Sequence, residues 1–200
     1  MFAPSEPTNF YLIAGLGNPG REYKETRHNI GFMTLDRLAA RLGETFGRVQ
    51  SQALIARAGH KNARLILVKP QTYMNLSGQA IGSLARFYKI PPTQLIICFD
   101  DVDLPFGAIR IRPGGGSGGQ KGMQSIIERL GTEDFPRMRL GIGRPPGRMD
   151  AAAYVLQPFH RDEQSELPFI LDRAADALLT FVTGGLEMAM NKYNAAGREE

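Results

Sequence analysis

The segment LIAGLGNPGREYKETRHNIGF, residues 12–32, places a cluster of glycines and a histidine directly after an apolar run. The glycines have the G-x-G-x-x-G spacing of a dinucleotide-binding turn: Gly15, Gly17 and Gly20. In that fold the third glycine opens a helix that faces a pyrophosphate, and an acidic residue about 20 positions further on ends the next strand. The same segment carries His28, so it is equally suited to form the floor of an active site.

The position of the first helix decides between these two interpretations. Apolar residues at helical spacing begin only near Asn29 and mark one face: Ile30, Met33, Leu35, Leu38, Ala39 and Leu42. This helix starts about ten residues too late for a dinucleotide fold. The acidic residue at the expected distance, Asp36, lies on its polar side rather than at a strand end. The pattern disfavours a dinucleotide cofactor.

Length and composition predict one domain. Two hundred residues, 42% of them hydrophobic, suffice for a compact α/β domain, which we place at residues 11–194 after a short N-terminal extension, residues 1–10. The single cysteine, Cys98, lies in the apolar run LIICF and excludes an internal disulfide. We expect a buried thiol on a strand and a chain suited to a reducing compartment.

Hydropathy predicts a cytoplasmic protein without a membrane anchor. The longest apolar segment, LPFILDRAADALLTFV, is interrupted by Asp172, Arg173 and Asp176, and it is too short and too charged to span a bilayer. The first ten residues have neither a basic region nor the apolar core of a signal peptide.

Alternating strand and helix patterns predict the fold class. Strands are expected at 10–16, 53–58, 63–69, 95–99, 108–112 and 138–143. Helices are expected at 29–42, 76–89, 120–130 and 168–183, the last opening at Pro168 and ending at Gly184 and Gly185. This order predicts a single-domain α/β fold: a twisted mixed sheet, largely parallel, with helices on both faces. Ligands of such sheets bind where the strands end, so the polar clusters after strands are the candidate sites.

Basic residues are concentrated in one region of the chain. Between Gly107 and Arg148 there are eight basic residues and three acidic ones, whereas the whole chain has 24 and 20. A phosphate-rich partner such as RNA would select this asymmetry, and a solvated basic face would produce it too.

A histidine and a carboxylate are the first candidates for chemistry. His28 is the histidine in the most polar, loop-like surroundings, and Asp100 ends a strongly apolar strand. A carboxylate that accepts from one imidazole nitrogen leaves the other free as a base. Asp100, Asp101 and Asp103 could instead bind a metal, but they share one short turn with Pro105 and no histidine, so we assign no metal.

A serine nucleophile is the next alternative. Neither Ser77 nor Ser117 lies in the G-x-S-x-G elbow of serine hydrolases; we expect Ser77 to cap a helix and Ser117 to belong to a flexible loop. Water is then the expected attacking group. Asn18 and Asn75 could donate hydrogen bonds to a carbonyl oxygen or to that water, or could cap turns.

Four ordered blocks carry a family resemblance. GLGNPGREYKETRHNIGF (15–32), KPQTYMNLSGQAI (69–81), FDDVDLPFGAIRIRPGGGSGGQKGMQSII (99–127) and FPRMRLGIGRPPG (135–147) closely resemble the bacterial peptidyl-tRNA hydrolases. The similarity runs from Leu12 into the final helices.

The resemblance implies an activity and a set of site residues. The family hydrolyses the ester between a peptide and tRNA, releasing both, and uses no metal or cofactor. It implies His28 as general base with Asp100 as its partner, and peptidyl-tRNA as the substrate of a monomeric enzyme. Substrate contacts would come from the motif positions Asn18, Tyr23, Met74 and Asn75. The tRNA 5′-phosphate would be bound by Arg112 and Arg139.

The glycine loop departs from the family pattern. The family commonly has G-G-H-N-G, whereas this chain has Gly118-Gly119-Gln120-Lys121-Gly122. Lys121 stands where the family has a substrate-binding asparagine; it keeps donor capacity and adds a charge that could meet a phosphate or an oxyanion. The glycine-rich stretch 114–122 is suited to act as a lid. A non-catalytic RNA-binding relative is the alternative function, and the presence of the site residues disfavours it.

Overall fold

A seven-stranded sheet runs through the middle of the molecule; the computed structural model describes residues 9–194. Most of the predicted extension, residues 1–8, therefore lies outside the described residues. The strands are β1 (Asn9–Gly15), β2 (Arg48–Gln50), β3 (Ala53–His60), β4 (Ala63–Pro70), β5 (Leu95–Asp101), β6 (Ile109–Arg112) and β7 (Arg137–Gly141). The helices are α1 (Ile30–Arg41), α2 (Ser77–Phe87), α3 (Lys121–Leu130), α4 (Ala151–Val155) and α5 (Arg161–Tyr193).

The strand order is β2-β3-β4-β1-β5-β7-β6, with a parallel centre and antiparallel edges. β1 pairs in parallel with β4 and β5, and β5 with β7, whereas β2, β3 and β6 join through antiparallel pairs. The carboxyl ends of β1, β4, β5 and β7 consequently lie along one edge of the sheet. The predicted mixed, largely parallel sheet is confirmed.

Helices cover both faces of the sheet, as predicted. Alternate residues of β1 point to opposite faces: Ile13 packs in one core cluster with α1 and α5, and Leu12 packs in the other with α2 and α3. β5 is buried from Leu95 to Asp100, as expected of a central strand covered on both faces. Cys98 is fully buried on this strand, which confirms the expected strand thiol.

Two glycines bring α1 close to the sheet. A Cβ atom at Gly31 would lie 2.5 Å from the carbonyl oxygen of Cys98 and from the amide nitrogen of Leu16. A Cβ at Gly15 would collide with the backbone of Gly31. Real Cβ atoms do not approach backbone atoms this closely, so the first turn of α1 packs on β1 and β5 only because neither residue has a side chain. This contact sets the position of the residues just before α1.

The start of α1 settles the dinucleotide question. α1 begins at Ile30, after a 3₁₀ turn at Arg27–Asn29, and Asp36 is exposed within the helix. The late start and the placement of Asp36 agree with the prediction. Gly15 packs directly against the backbone of Gly31.

The final helix corrects the sequence prediction. α5 starts at Arg161 rather than at Pro168. The predicted end at Gly184 and Gly185 is confirmed, because Gly185 has non-helical backbone (φ 83°, ψ 173°), and a second helical segment follows this break to Tyr193. Its first turn is capped by Glu163, which accepts from the backbone N–H of His160 at 2.6 Å. Residues 161–169 are mostly exposed, so they lack the apolar stripe on which the prediction relied.

Two short elements were missed altogether. β2 has three residues and α4 has five, and neither is long enough to show a period. α4 is capped by Asp150, whose side chain accepts from the N–H of Ala153 at 3.1 Å. Within residues 9–194, no helix has the combination of length and hydropathy that crossing a bilayer requires.

Candidate active site

A cleft of about 1240 Å³ lies at the carboxyl ends of the parallel strands. It exceeds the roughly 300–1,000 Å³ of ordinary small-molecule pockets and is large enough for a polymer end. The loop after β1, the turn after β4, the end of β5, the glycine loop and α4 all contribute to its walls. The predicted site residues that line it are Asn18, His28, Met74, Asn75, Asp100, Arg112, Lys121 and Arg139.

His28 and Asp100 form a hydrogen-bonded pair in this cleft. Nδ1 of His28 lies 2.8 Å from Oδ2 of Asp100, and their side chains are 15% and 3% exposed. A carboxylate only accepts, so the contact keeps the ring proton on Nδ1. Within residues 9–194, Nε2 has no hydrogen-bond partner, which leaves its lone pair available to a molecule in the cleft.

The turn that carries His28 is held from behind by Arg27. The guanidinium of Arg27 is completely buried, lies 2.6 Å from Oε2 of Glu163, and donates to the carbonyl oxygens of Gln157 and Pro158. Its backbone N–H also donates to the carbonyl of Gln157 at 3.0 Å. These contacts fix the His28 turn to the chain between α4 and α5, and α4 forms one wall of the cleft.

Asn18 is oriented by Asn29 and by the turn after β4. Its backbone N–H donates to Oδ1 of Asn29 at 2.8 Å, and its carbonyl accepts from Nδ2 of Asn29 at 3.0 Å. Its side-chain Oδ1 accepts from the N–H of Met74 at 2.9 Å. With its oxygen held by Met74, Asn18 presents its amide Nδ2 as a donor in the cleft.

The turn after β4 contributes an apolar and a polar side chain. Met74 is buried and lines the cleft beside the exposed Asn75. Ser77 does not cap α2 as predicted; its hydroxyl donates to the carbonyl of Met74 at 2.8 Å and braces this turn. Ser117 lies in the glycine loop, where its Oγ accepts from the N–H of Gly119 at 3.3 Å.

Arginines on the edge strand β6 and on its neighbour β7 make one side of the cleft basic. Arg112 lies opposite Arg137 across the antiparallel pair of β6 and β7, and Arg139 lies two residues further along β7, so these side chains share one face. Arg139 is paired with Asp101 through Nε, whereas Arg112 and Lys121 are exposed and have no ion-pair partner within residues 9–194.

Arg137 supports the glycine loop rather than facing solvent. Its buried guanidinium donates to the carbonyl oxygens of Gly115, Gly116, Glu133 and Phe135. Burial disfavours the charged form and lowers the pKa of Arg137 from its ordinary value, although nearby Glu133 and Asp134 oppose this shift. The side chain therefore holds the base of the loop whose tip borders the cleft.

Comparisons with known proteins place this geometry in a family. A peptidyl-tRNA hydrolase family model matches residues 12–200. The chain is 52% identical to peptidyl-tRNA hydrolase from Chloroflexus aggregans, over 92% of this chain and 98% of that protein. It is 49% identical to the Mycobacterium tuberculosis enzyme, over 92% and 97%. The crystal structure of peptidyl-tRNA hydrolase from Acinetobacter baumannii superimposes with a TM-score of 0.87 at 36% identity, covering 96% of this chain and 97% of that one.

The chain belongs to the peptidyl-tRNA hydrolase family.

Not every position that the resemblance indicated is in the cleft of this peptidyl-tRNA hydrolase family member. Tyr23 ends a 3₁₀ turn, Arg21–Tyr23, and is not among the residues that line the cleft. The three aspartates at the end of β5 and in the turn after it each engage a different partner: Asp100 binds His28, Asp101 binds Arg139 and Asp103 binds Arg144. Within residues 9–194, no three metal-ligating side chains converge.

Sequence reasoning missed several residues of this hydrolase site. Asn29 was named only as the start of a helix, although it orients Asn18. Gln120 was named only as a departure from a motif, although it contacts Asp100. Asp150 followed by three alanines was an available signal for α4, which forms a wall of the cleft.

Proposed function

We propose that His28 is the general base of this enzyme and that Asp100 orients it. The enzyme hydrolyses the ester bond of peptidyl-tRNA, releasing free tRNA and peptide. The observation that carries the assignment is the 2.8 Å contact between Nδ1 of His28 and Oδ2 of Asp100 in the cleft, with Nε2 left unpaired.

The reaction requires one proton to move twice. Nε2 of His28 takes a proton from water as the water oxygen attacks the ester carbonyl carbon, and Asp100 stabilises the imidazolium that results. The tetrahedral intermediate then collapses, the bond to the terminal ribose oxygen breaks, and the imidazolium returns the proton to that oxygen. The peptide leaves as a carboxylic acid, which releases its proton to solvent, and the tRNA leaves with a free terminal hydroxyl. An ester has a good leaving group, so no covalent enzyme intermediate is needed.

Neutral donors serve the acyl half of the substrate. Asn18 presents an amide Nδ2 whose orientation is fixed by the bond from Met74 to its oxygen, and Asn75 is exposed on the neighbouring turn. Held in place before the substrate arrives, such donors stabilise the developing oxyanion and hold the peptide backbone without reading its sequence. Met74 supplies an apolar surface for the peptide.

Basic groups serve the tRNA half. The proposal assigns the 5′-phosphate to Arg112 and Arg139, which line the cleft; the Nε contact of Arg139 with Asp101 fixes the direction of its guanidinium. Lys121 begins α3, so its charge adds to the positive end of that helix beside the cleft. Tyr23 remains a proposed contact for the terminal nucleotide, outside the cleft wall. The monomer and the single domain at residues 11–194 also remain predictions.

A non-catalytic RNA-binding role is not favoured. The relatives are named as hydrolases, and the chain keeps the paired histidine and carboxylate that binding alone would not require.

Replacement of His28 tests the proposal. In the His28→Ala variant we expect hydrolysis of an N-blocked aminoacyl-tRNA to fall by about 10²–10⁴-fold, with tRNA affinity within about twofold of wild type. His60→Ala is the matched control, because His60 lies at the end of β3 and outside the cleft. Wild-type turnover by a correctly folded His28→Ala protein would remove the assignment.

A further inference from the structure

We infer that Gln120 is a positioning residue, which fixes the orientation of the Asp100 carboxylate and thereby the position of the His28 imidazole. The inference rests on the proposed function, in which His28 is the base. Gln120 lies immediately before α3 and lines the cleft, and its side chain connects the helix N-terminus to the catalytic pair.

The direction of the Gln120 amide is determined by its neighbours. Its Oε1 lies 2.8 Å from the backbone N–H of Met123, which can only donate, so the oxygen faces the helix. The amide Nε2 must then face the other way. It lies 3.3 Å from Oδ1 of Asp100 and 3.2 Å from the sulfur of Met74, and both are acceptors. The three contacts agree on one orientation.

Each oxygen of the Asp100 carboxylate consequently accepts from a different donor. Oδ2 accepts from His28 and Oδ1 accepts from Gln120, and the carboxylate is buried from water. Rotation of the carboxylate would leave buried polar groups without partners, which is costly. Gln120 therefore holds Asp100 in the plane from which it orients the imidazole.

This arrangement predicts how an amide at position 100 would behave. In Asp100→Asn, the donor of Gln120 requires the introduced oxygen to face it, so the introduced NH₂ faces Nδ1 of His28. That amide donates to Nδ1 and moves the ring proton to Nε2, where the ring can no longer accept a proton from water. Gln120→Glu replaces the donor by an acceptor, so the introduced amide oxygen at position 100 no longer has to face residue 120.

Gln120→Ser separates positioning from helix capping. Serine is a preferred N-cap residue and can accept from the Met123 N–H, but its side chain is too short to reach Asp100. We expect kcat to fall about tenfold or more, with KM within about twofold and an unchanged thermal unfolding midpoint. Gln124→Ser is the matched control: the same change one turn along α3, on the exposed side of the helix. Wild-type kcat in Gln120→Ser would overturn the inference.

A double variant distinguishes positioning from a purely structural role of Gln120, because a structural role would not restore kcat in the Asp100→Asn background. Gln120→Glu in the Asp100→Asn background should raise kcat at least tenfold over Asp100→Asn alone, because the introduced carboxylate accepts from the introduced amide and turns its oxygen towards Nδ1. Gln124→Glu in the same background adds the same charge away from the pair and should give no recovery. Equal kcat in Asp100→Asn with and without Gln120→Glu would also overturn the inference.

These outcomes are separable from failure of the proposed function. If His28→Ala is inactive while Gln120→Ser is fully active, His28 remains the base and only the role of Gln120 is lost. If His28→Ala is fully active, the proposed function itself fails.

Discussion

At the residue scale, the imidazole of His28 depends on groups that are distant in sequence. Asp100 fixes its tautomer, and Arg27 holds its backbone through contacts with Pro158 and Glu163. Asn18 was predicted either to cap a turn or to donate in the site; its oxygen accepts from the N–H of Met74, and its side chain lines the cleft. The two roles are compatible because the amide has a donor and an acceptor end, and donation to the substrate stays a prediction.

Gly31→Ala tests the close approach of α1 to the sheet. The added Cβ would lie 2.5 Å from the Cys98 carbonyl oxygen, and backbone on both sides limits relaxation. We expect the free energy of unfolding to fall by about 1–3 kcal/mol, judged from the cost of overpacking a tight site. Because α1 follows directly on the His28 turn, kcat should fall as well.

The control for this prediction is Gly59→Ala on β3. A Cβ at Gly59 has no neighbour within 4 Å, so this variant should retain wild-type stability and activity. Urea denaturation and hydrolysis assays measure both quantities. Equal stability of the two variants would contradict the close packing of α1 on β1 and β5.

At the element scale, α5 shows how a helix is specified by different means along its length. Its middle packs an apolar stripe on the sheet, with Ala174, Leu178 and Phe181 buried, and this part was predicted. Its exposed first turns depend on the Glu163 cap, and the segment after Gly185 depends on burial of Ala189 and Tyr193. Hydrophobic periodicity detects only the apolar stripe in the middle of α5.

Arg27→Met tests the junction between the His28 turn and α5. The variant removes a buried guanidinium, so the Pro158 carbonyl loses its donor and Glu163 loses its ion-pair partner and keeps only the N–H of His160. We expect a loss of about 3 kcal/mol in the free energy of unfolding, since breaking a largely buried pair leaves an uncompensated charge. Arg86→Met, on the exposed side of α2, should change it by less than about 0.5 kcal/mol. Similar denaturation midpoints for the two variants would refute this role of Arg27.

The basic strands β6 and β7 make a separate prediction about tRNA. If Arg112 and Arg139 bind phosphate, tRNA affinity should decrease steeply as salt increases, because bound counterions are released. Arg112→Met should reduce the slope of log K against log salt by about 1. Arg64→Met on β4, outside the cleft, should leave the slope unchanged. A binding titration in which Arg112→Met keeps the wild-type slope would remove the phosphate assignment.

At the scale of the whole molecule, the sheet joins every part of the site. Strands β1, β4, β5 and β7 end at the same edge, so Asn18, Asn75 and Asp100 line one cleft although the first and the last are 82 positions apart. The basic region found in the sequence folds onto β6 and β7 and the start of α3, beside the same cleft. The basic residues and the His28–Asp100 pair therefore lie along the same cleft.

Cys98 provides a probe of the stability of this whole unit. It is the only cysteine, it is fully buried on the central strand β5, and burial raises the pKa of its thiol. Native protein at pH 8 should therefore react with a thiol reagent only through global unfolding, whereas protein in urea should react at once. Gly31→Ala should accelerate the labelling of native protein, and Gly59→Ala should not. Rapid labelling of folded wild type would show that β5 opens locally.

The sequence by itself determined the alternation of strands and helices, the buried central strands and the identity of His28 and Asp100 as candidates for chemistry. These features depend on periodicity and on side-chain type, which are local. Only the tertiary structure decided that Gln120 and Asn29 belong to the site, that α4 forms a wall and that α5 extends beyond its apolar stripe. Those features depend on hydrogen bonds and packing between segments far apart in the chain, and such contacts exist only once the sheet has brought the segments together.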